Sequence, residues 1–409
     1  MVLAAAPARG GVLALEGIRI ARVDLHIEEL AGAVRLRGLA LKREAPGGGW
    51  SVHLDRLLLD GAPPALAPLA LEGSLRPTAD GLLAQGALRF SAGGAETAFE
   101  AFRSAEDGTW SLYLEGEVSF QPGRLAPRHL SPRYGGILSE TEGRIGFTAH
   151  LQRGADSTEV AELVLEDLTF TAFGVRFRGL RGALLFDRLF PPRTLPGQRL
   201  ELAEIDFGLP LRDLQLLFAL EPGAELALQR AGAELLGARL RVAPSRLALL
   251  RPEGRVKVRL SGLELPRLVR ALDMPGLVLE GVVDGELLLA VRPSGALEIL
   301  ASTLTARGPG ILRYRPPAGA AAVSEHLRLL YRALENFHYA RMEAKLSGPL
   351  AGELRLLVHL EGANPDLYGG QPFVLNLSFE GPFGRMLRYG LRSYELPGEI
   401  ERRLRKRMQ

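Results

Sequence analysis

Residues 361–381, EGANPDLYGGQPFVLNLSFEG, place an Asn-Pro pair and a Gly-Gly pair just before a segment in which apolar and polar residues alternate strictly. The segment before this turn, 354–360, alternates in the same way. A period of two is typical of a β-strand with one apolar face. The two segments therefore predict a β-hairpin, whose apolar face must be covered either by a packed core or by something that the protein carries.

The same alternation recurs from one end of the chain to the other. Apolar and polar residues alternate in 23–27, 34–41, 51–61, 109–120, 175–178 and 255–265. Gly and Pro, which number 48 and 27, interrupt nearly every such segment, and both residue types favour turns. The sequence therefore predicts an all-β protein of about 25–30 strands with a few short helices.

Helical spacing of apolar residues is confined to a few places. It occurs in 264–274, where Pro266 suits a first helical turn, and in 324–336, where Ser324 suits an N-cap. From Phe383 onward, apolar residues at helical spacing lie among arginines. The C-terminus is therefore predicted to be short, helical and basic.

Composition and charge exclude several classes of function. Cysteine is absent, which excludes disulfides and thiolate metal sites. The net charge is +3, but the tail 384–409 carries eight basic and three acidic side chains, so the residues before it sum to −2. Nucleic-acid binding is not expected, because it is driven mainly by neutralising phosphates. The sequence contains no run of 18 apolar residues, which is about the length that a helix needs to cross a bilayer.

Motifs for catalysis, cofactors and metals are missing from the sequence. The seven histidines do not fall at metal-ligand spacings, and no phosphate-binding glycine loop or nucleophile elbow occurs. Carboxylates are scattered over the polar positions of the alternating segments. The sequence therefore predicts a protein that is not an enzyme and has no catalytic residues, metal ligands or cofactor.

The C-terminal half carries a series of motifs built from glycines, aromatic residues and amides. In chain order they are Gly281, Gly285 and Leu287; Gly308, Pro309, Gly310, Ile311 and Tyr314; Leu334, Asn336, Phe337 and Tyr339; and Gly362, Asn364, Pro365, Gly369, Gln371, Pro372, Asn376 and Leu377. The combination resembles the YdbH branch of the AsmA-like bacterial lipid transport family, and 184–220 is similar to the start of the same domain. Residues 1–180 resemble that family only in their general pattern of alternating segments.

The resemblance implies a function and a fold. The fold is an elongated, curved β-sheet groove with an aliphatic concave face, and phospholipid acyl chains pass along it between the inner and outer membranes through the periplasm. The implied groove lining consists of Val256, Val258, Leu260, Leu354, Leu356, Val358, Leu360, Phe373, Leu375, Leu377 and Phe379. Such a lining suits the cargo, since each acyl CH₂ that leaves water contributes about 0.8 kcal/mol.

The resemblance also implies a domain organisation and a location. Residues 1–180 are expected to form a repetitive β-groove segment, 181–383 a C-terminal β domain with both short helices, and 384–409 a basic amphipathic tail. The tail is expected to dock on a membrane surface or an envelope partner, or to plug the groove. Inner-membrane anchoring is expected through a segment missing from this chain.

Two other functions remain open from the residues alone. An all-β protein of this size could bind a polysaccharide, although aromatic residues make up only 6% of the chain and such sites usually need aromatic platforms. It could instead carry a small dicarboxylate, which requires convergent arginine donors in a small pocket. The polysaccharide binder would be a β-solenoid or a β-sandwich, and a compact two-layer sandwich would leave no groove.

Overall fold

The computed structural model describes residues 2–7, 13–27, 32–44, 48–59, 66–90, 93–132, 138–154, 156–172, 174–189, 191–206, 208–249, 253–274, 276–293, 296–315, 325–350 and 352–381. Of these residues, 73% lie in strands and 6% in helices. The strands form one open antiparallel sheet. The prediction of an all-β fold built on a single sheet is therefore confirmed. The predicted helical tail, 384–409, lies outside the described residues.

The chain divides into two compact units, of which unit 1 consists of Met1–Leu202 and Ala219–Ala224. Its elements are β1 (Val2–Pro7), β2 (Leu13–Ile27), β3 (Gly32–Arg43), β4 (Trp50–Leu59), β5 (Leu69–Pro77), β6 (Gly81–Phe90), β7 (Ala95–Ser104), β8 (Trp110–Phe120), α1 (Pro127–Leu130), β9 (Leu138–Arg153), β10 (Thr158–Ala172), β11 (Val175–Leu189) and β12 (Pro192–Thr194). Consecutive strands from β1 to β12 pair with each other as antiparallel neighbours.

Unit 2 consists of Ala203–Phe218 and Glu225–Gln409. Its elements are β15 (Glu225–Leu235), β16 (Ala238–Val242), β17 (Ser245–Ala248), β18 (Gly254–Glu264), α2 (Leu265–Ala271), β19 (Leu277–Leu279), β20 (Val282–Val291), β21 (Leu297–Ala306), β22 (Gly310–Tyr314), α3 (Glu325–Leu334), β23 (Phe337–Pro349), β24 (Leu354–Ala363) and β25 (Phe373–Gly381). The strands β13 (Gln198–Asp206) and β14 (Pro210–Glu221) contribute residues to both units. The predicted domain boundary at 180/181 stays a prediction.

Both longer helices lie inside the segments for which the sequence predicts helices. Pro266 occupies the first turn of α2, where its missing N–H costs no helical hydrogen bond. The helix α3 begins at Glu325, directly after Ser324. In chain order, α2 lies between β18 and β19, and α3 lies between β22 and β23.

The hairpin of β24 and β25 forms as the alternation predicts. Leu356 lies opposite Phe379, and Arg355 lies opposite Glu380. Opposed residues share one face of an antiparallel pair. The apolar positions of the two strands therefore lie on one face, and the charged positions lie on the other.

A bulge in β18 is fixed by one glycine and one carboxylate. Gly262 has a φ of 81°, a value that favours glycine, and the register with β20 shifts between Leu260 and Leu263. The Gly262 N–H donates to Asp284 Oδ1 over 2.7 Å, and Arg307 Nε donates to Asp284 Oδ2 over 2.7 Å. Arg307, and to a smaller extent the Gly262 N–H, lower the pKa of Asp284. The carboxylate that accepts from the bulge N–H is therefore held in its ionised form.

Each unit has its own buried cluster. The unit 1 cluster consists of Ala95, Val118, Phe120, Leu125, Leu165 and Leu168. The unit 2 cluster consists of Ala238, Leu260, Leu263, Leu265, Val283, Leu312, Leu334, Phe337, Tyr339, Met342 and Leu360. The unit 2 cluster includes residues of α2 and α3, so these helices cover part of the sheet.

Candidate functional site

One face of the sheet in unit 2 is apolar over many strands. Cross-strand partners connect this face from β25 through β24, β23, β21, β20, β18 and β16 to β15. One row of partners reads Leu377, Val358, Ala344, Leu304, Gly285, Leu260, Leu240 and Ala233. Because the row contains no polar side chain, the apolar face is continuous across these strands.

The residues that the sequence predicts as groove lining lie on this face. Among them, Val258, Leu260, Leu354 and Leu360 are buried. The remaining members are half-buried: Val256, Leu356, Val358, Phe373, Leu375, Leu377 and Phe379. An apolar residue under a second sheet would be fully buried, so the half-buried members mark the part of the face that is only partly covered.

The opposite face carries charges that pair across the strands. Glu286 accepts hydrogen bonds from Lys257 Nζ and Arg259 Nη2, each over 2.8 Å. Lys257 and then Arg259 lower the pKa of Glu286 by these hydrogen bonds. Arg355 Nε donates to Glu380 Oε1 over 2.7 Å. Such exposed pairs contribute little to stability, but they identify the solvated side of the sheet.

The two helices cover part of the apolar face. Leu265 and Leu268 of α2, and Leu330 and Leu334 of α3, belong to the unit 2 cluster or pack against it. Beneath them, Leu360 is completely buried. The amphipathic spacing predicts the helices but does not say which surface their apolar sides contact. The sequence therefore did not reveal that part of the predicted lining is covered by the protein itself.

Asn364 attaches α3 to the hairpin that follows it. Its side chain is 1% exposed, and Nδ2 donates to the carbonyl oxygens of Arg332 over 2.9 Å and Ala333 over 3.2 Å. Its Oδ1 accepts from the Asp366 N–H over 2.8 Å. Carbonyls in the last turn of a helix have no partner within the helix. Asn364 therefore caps the C-terminal end of α3 while fixing the turn after β24.

Two motif glycines make room for a buried tyrosine. Tyr339 is 1% exposed, and its hydroxyl donates to the Glu280 carbonyl over 2.6 Å. A Cβ on Gly281 or Gly310 would lie 2.1 or 2.2 Å from that hydroxyl. Burial raises the pKa of Tyr339, so the side chain stays a neutral hydrogen-bond donor. The motif glycines are therefore explained by the space that the ring and its hydroxyl occupy.

The other motif residues have different surroundings. Tyr314 lies 5.9 Å from Tyr331, measured between ring centroids, and a Cβ on Gly362 would lie 2.1 Å from the His338 carbonyl oxygen. Gly308 has open space around it. Pro365, Gln371, Pro372 and Asn376 are exposed. The motif residues therefore have different positions: Gly285 lies in the apolar row, Phe337 and Tyr339 belong to the unit 2 cluster, and the exposed members contact neither.

Unit 1 presents an apolar face of its own. One row of cross-strand partners reads Leu71, Leu88, Thr97, Gly116, Phe147, Leu163 and Leu184, from β5 to β11. The unit 1 cluster covers one end of this face through Leu125, with Leu130 packed against it. Most other residues on the face are half-buried, as in unit 2.

A pocket beside α2 brings arginines together, as a dicarboxylate site would require. Its volume is about 450 Å³, and Arg212, Arg267 and Arg270 line it together with Glu234. Carboxylates already engage two of the arginines: Arg212 Nε lies 3.1 Å from Glu204, and Arg267 Nε lies 2.8 Å from Glu264. With Glu234 in the lining, the pocket has no excess of positive charge to hold a dianion.

The described residues contain no group of three or more His, Cys, Asp or Glu side chains that could hold a metal ion. In the same part of the chain, no helix is long and apolar enough to cross a membrane.

Comparison with known proteins gives one match. A family model described as YdbH-like, intermembrane phospholipid transport protein YdbH, matches residues 8–405. No curated protein and no solved structure matches the chain. The match covers nearly the whole chain. It therefore includes most of residues 1–180, which resemble the family only in their general pattern.

Proposed function

Because the chain belongs to the YdbH-like family of intermembrane phospholipid transport proteins, we propose that it moves phospholipids by holding their acyl chains on the apolar face of its sheet. In this proposal, lipids slide along the strands' side chains from the inner to the outer membrane, and no covalent step is involved. The periplasm is the compartment that a route between these membranes must cross.

The observation that carries the proposal is the half-buried apolar face. Leu356 and Phe379 lie opposite each other, and neither belongs to the unit 2 cluster or packs against it. A continuous apolar surface that the protein leaves partly open is typical of a binding site. Acyl chains fit it because each buried CH₂ contributes about 0.8 kcal/mol and needs no polar partner.

The proposed track uses the half-buried lining residues first. Leu260 and Leu360 are part of the unit 2 cluster, so lipid would reach them only if α2 and α3 moved away. We therefore assign the direct acyl contacts in unit 2 to Val256, Leu356 and Phe379, and secondary contacts to the half-buried residues beside the cluster. The tail 384–409 is proposed to dock on an anionic membrane surface or an acidic envelope partner, for which its eight basic side chains are suited.

Two neighbouring leucines allow a direct test. Leu356 lies on the apolar face opposite Leu346 and Phe379, whereas Leu357 is 43% exposed on the other face, opposite Lys345 and Ser378. In Leu356→Asp, a carboxylate among acyl chains would be costly to desolvate. We expect this variant to lose bound phospholipid, measured by mass spectrometry of the purified protein, and to lose transfer of a fluorescent phospholipid between vesicles.

Leu357→Asp is the matched control, because it makes the same chemical change one residue away. It should keep both lipid content and transfer, provided that circular dichroism shows the same strand signal for both variants. Equal losses in the two variants, or purified wild-type protein without phospholipid, would contradict the proposed function.

A further inference from the structure

The apolar face of unit 1 has two different ends. At one end, a row of cross-strand partners reads Leu69, Phe90, Ala95, Val118 and Ile145, without a charged residue. At the other end, the outermost row reads Pro77, Leu82, Arg103, Trp110 and Arg153. Basic side chains therefore enter the apolar face at one end only.

An arginine and a tryptophan face each other twice at this basic end. Arg43 at the end of β3 lies opposite Trp50 at the start of β4, and Arg103 in β7 lies opposite Trp110 at the start of β8. Through Leu75, Ala84, Ala101 and Leu112, the row of Trp50 runs directly beside the row of Trp110. The two pairs therefore lie at the same edge, four strands apart, which corresponds to roughly 19 Å.

The arginines of these pairs have unused hydrogen-bonding capacity. Arg103 is exposed, and its guanidinium has no hydrogen-bond or ion-pair partner among the described residues. The Nε of Arg43 is buried and also has none within that part of the chain. Arg153 differs, because its guanidinium is paired with Glu159, which is only 14% exposed. Arg43 and Arg103 are thus the cations that could accept an anion at this edge.

The tryptophans have surroundings that suit a boundary between apolar and polar material. Trp110 is 40% exposed and Trp50 is half-buried. Trp side chains concentrate where one end of the ring meets hydrocarbon and the other meets water. Arginine is the side chain that binds a phosphate group with two parallel hydrogen bonds. The combination matches the boundary between the acyl chains and the phosphate of a phospholipid.

We propose that Arg43, Trp50, Arg103 and Trp110 form a headgroup rim, at which the phosphodiester of a phospholipid binds while its acyl chains lie on the apolar face of unit 1. This inference rests on the proposed function and adds the orientation of the cargo. Headgroups lie at the edge of Trp50 and Trp110, and the acyl chains point toward the opposite edge, where Leu125 covers the sheet.

The length of the strands is compatible with this orientation. From Trp110 to Val118 a strand rises by roughly 26 Å. One leaflet of a bilayer has a hydrocarbon thickness of about 15 Å, half of the usual hydrocarbon core. An acyl chain that starts at the rim therefore ends before it reaches the unit 1 cluster, so the cluster need not open to admit it.

The native tryptophans provide the first test, because Trp50 and Trp110 are the only two in the chain. The protein is loaded with phospholipids that carry bromine atoms either near the glycerol or near the methyl end of the acyl chains. We expect bromines near the glycerol to quench the tryptophan fluorescence more strongly. Equal quenching, or stronger quenching by bromines at the methyl end, would overturn the rim. Comparison of the Trp50→Phe and Trp110→Phe variants shows how much of the quenching comes from each of the two rings.

Substitution of the arginines provides the second test. Arg103→Gln, alone and combined with Arg43→Gln, is compared with Arg37→Gln, which makes the same charge change at an exposed position on the other face. Loss of a charge-assisted hydrogen bond should weaken binding of a phospholipid roughly tenfold. Binding of a diacylglycerol with the same acyl chains, which lacks the phosphate, should not change. Arg37→Gln should bind both lipids as the wild type does.

The outcomes separate the rim from the transport role. If both bromolipids are retained but quench equally, and Arg103→Gln binds phospholipid normally, lipids are carried without the rim. If the arginine variants lose phospholipid and diacylglycerol alike, the arginines support the fold and do not bind a phosphate. If neither lipid is retained by the wild type, the proposed function fails, and the rim fails with it.

Discussion

The two units differ in how they cover the same kind of apolar face. In unit 2, residues of α2, α3 and the sheet form a cluster in which Phe337 and Leu360 are completely buried. In unit 1, the cover is Leu125 with Leu130 of α1 packed beside it, and the cluster members keep between 5% and 8% exposure. The same alternating pattern therefore leads to a face that helices cover in part in unit 2, and to a face with a smaller buried cluster in unit 1.

This difference shows which elements give unit 2 its core. The strands of both units place apolar side chains on one face, but within the described residues helices of seven and ten residues occur in unit 2 alone. Asn364 and Tyr339 fix this cover by hydrogen bonds to the end of α3 and to the Glu280 carbonyl. Among the described residues, the more open face of unit 1 therefore goes with a cover made of fewer and shorter helical residues.

The largest expected effect compares one phenylalanine from each unit. Phe337→Ala removes a completely buried ring and should lower the free energy of unfolding of unit 2 by about 3–5 kcal/mol. Phe99, opposite Leu114 on the open face of unit 1, is half-buried. Phe99→Ala should cost less, about 1–2 kcal/mol, because even complete burial of a Phe contributes only about 1.5–3 kcal/mol.

Urea unfolding can follow the units separately. Both tryptophans lie in unit 1, so their fluorescence reports unit 1, while far-UV circular dichroism reports all strands. We expect Phe337→Ala to shift the circular dichroism transition and leave the fluorescence transition nearly in place. Equal costs for the two substitutions would mean that unit 1 is covered as well as unit 2.

A smaller effect is expected from two glycines that the family motif places two residues apart. A Cβ on Gly310 would lie 2.2 Å from the Tyr339 hydroxyl and 2.3 Å from the Glu280 carbonyl oxygen, whereas Gly308 has open space. Gly310→Ala should therefore destabilise unit 2 by about 1–3 kcal/mol through overpacking. Gly308→Ala should change the unfolding midpoint little. A tolerated Gly310→Ala would show that Tyr339 can leave its position at low cost.

The sequence predicted the fold better than it predicted the site. A period of two assigns each side chain to one face of a strand. The sequence therefore predicts the all-β class, the hairpin of β24 and β25, and the shared face of residues such as Leu356 and Phe379. Burial could not be predicted, because alternation does not distinguish Leu360, which lies under a cluster, from Leu356 beside it. That distinction depends on where α2 and α3 pack, which no local pattern specifies.

One feature of the proposed headgroup rim is visible in the sequence, although it does not by itself predict a binding site. Trp50 follows Arg43 by seven positions in the sequence, and Trp110 follows Arg103 by seven positions. Glycine occurs in both of the intervening segments. The repeated spacing gains meaning only from the register, which places each pair opposite each other on the apolar face. Residue types alone would suggest an ordinary polar turn.

The smallest expected effect concerns the polar face of the hairpin of β24 and β25. His359 Nδ1 lies 2.7 Å from Asn376 Oδ1, and Nε2 lies 3.1 Å from Glu361 Oε1. The hydrogen bond with Asn376, and then that with Glu361, raise the pKa of His359 above its ordinary value. A raised pKa means that the folded state favours the protonated ring. The stabilisation is therefore fully present below the unfolded value of about 6.5 and is lost as the pH rises through the folded value.

Asn376→Ala should lower the pKa of His359, measured by NMR titration of its ring protons, and should weaken the dependence of stability on pH above the unfolded value. Ser378→Ala is the control, since it lies on the same face of β25 two residues away and does not contact the imidazole in the register, where Ser378 faces Leu357. Because the ring is exposed, the change in stability should stay small while the titration shifts clearly. A titration that is unchanged in Asn376→Ala would mean that the polar face is a set of independent solvated side chains. A shift limited to His359 would instead show that its hydrogen bonds are formed in solution, on the face opposite the proposed acyl contacts.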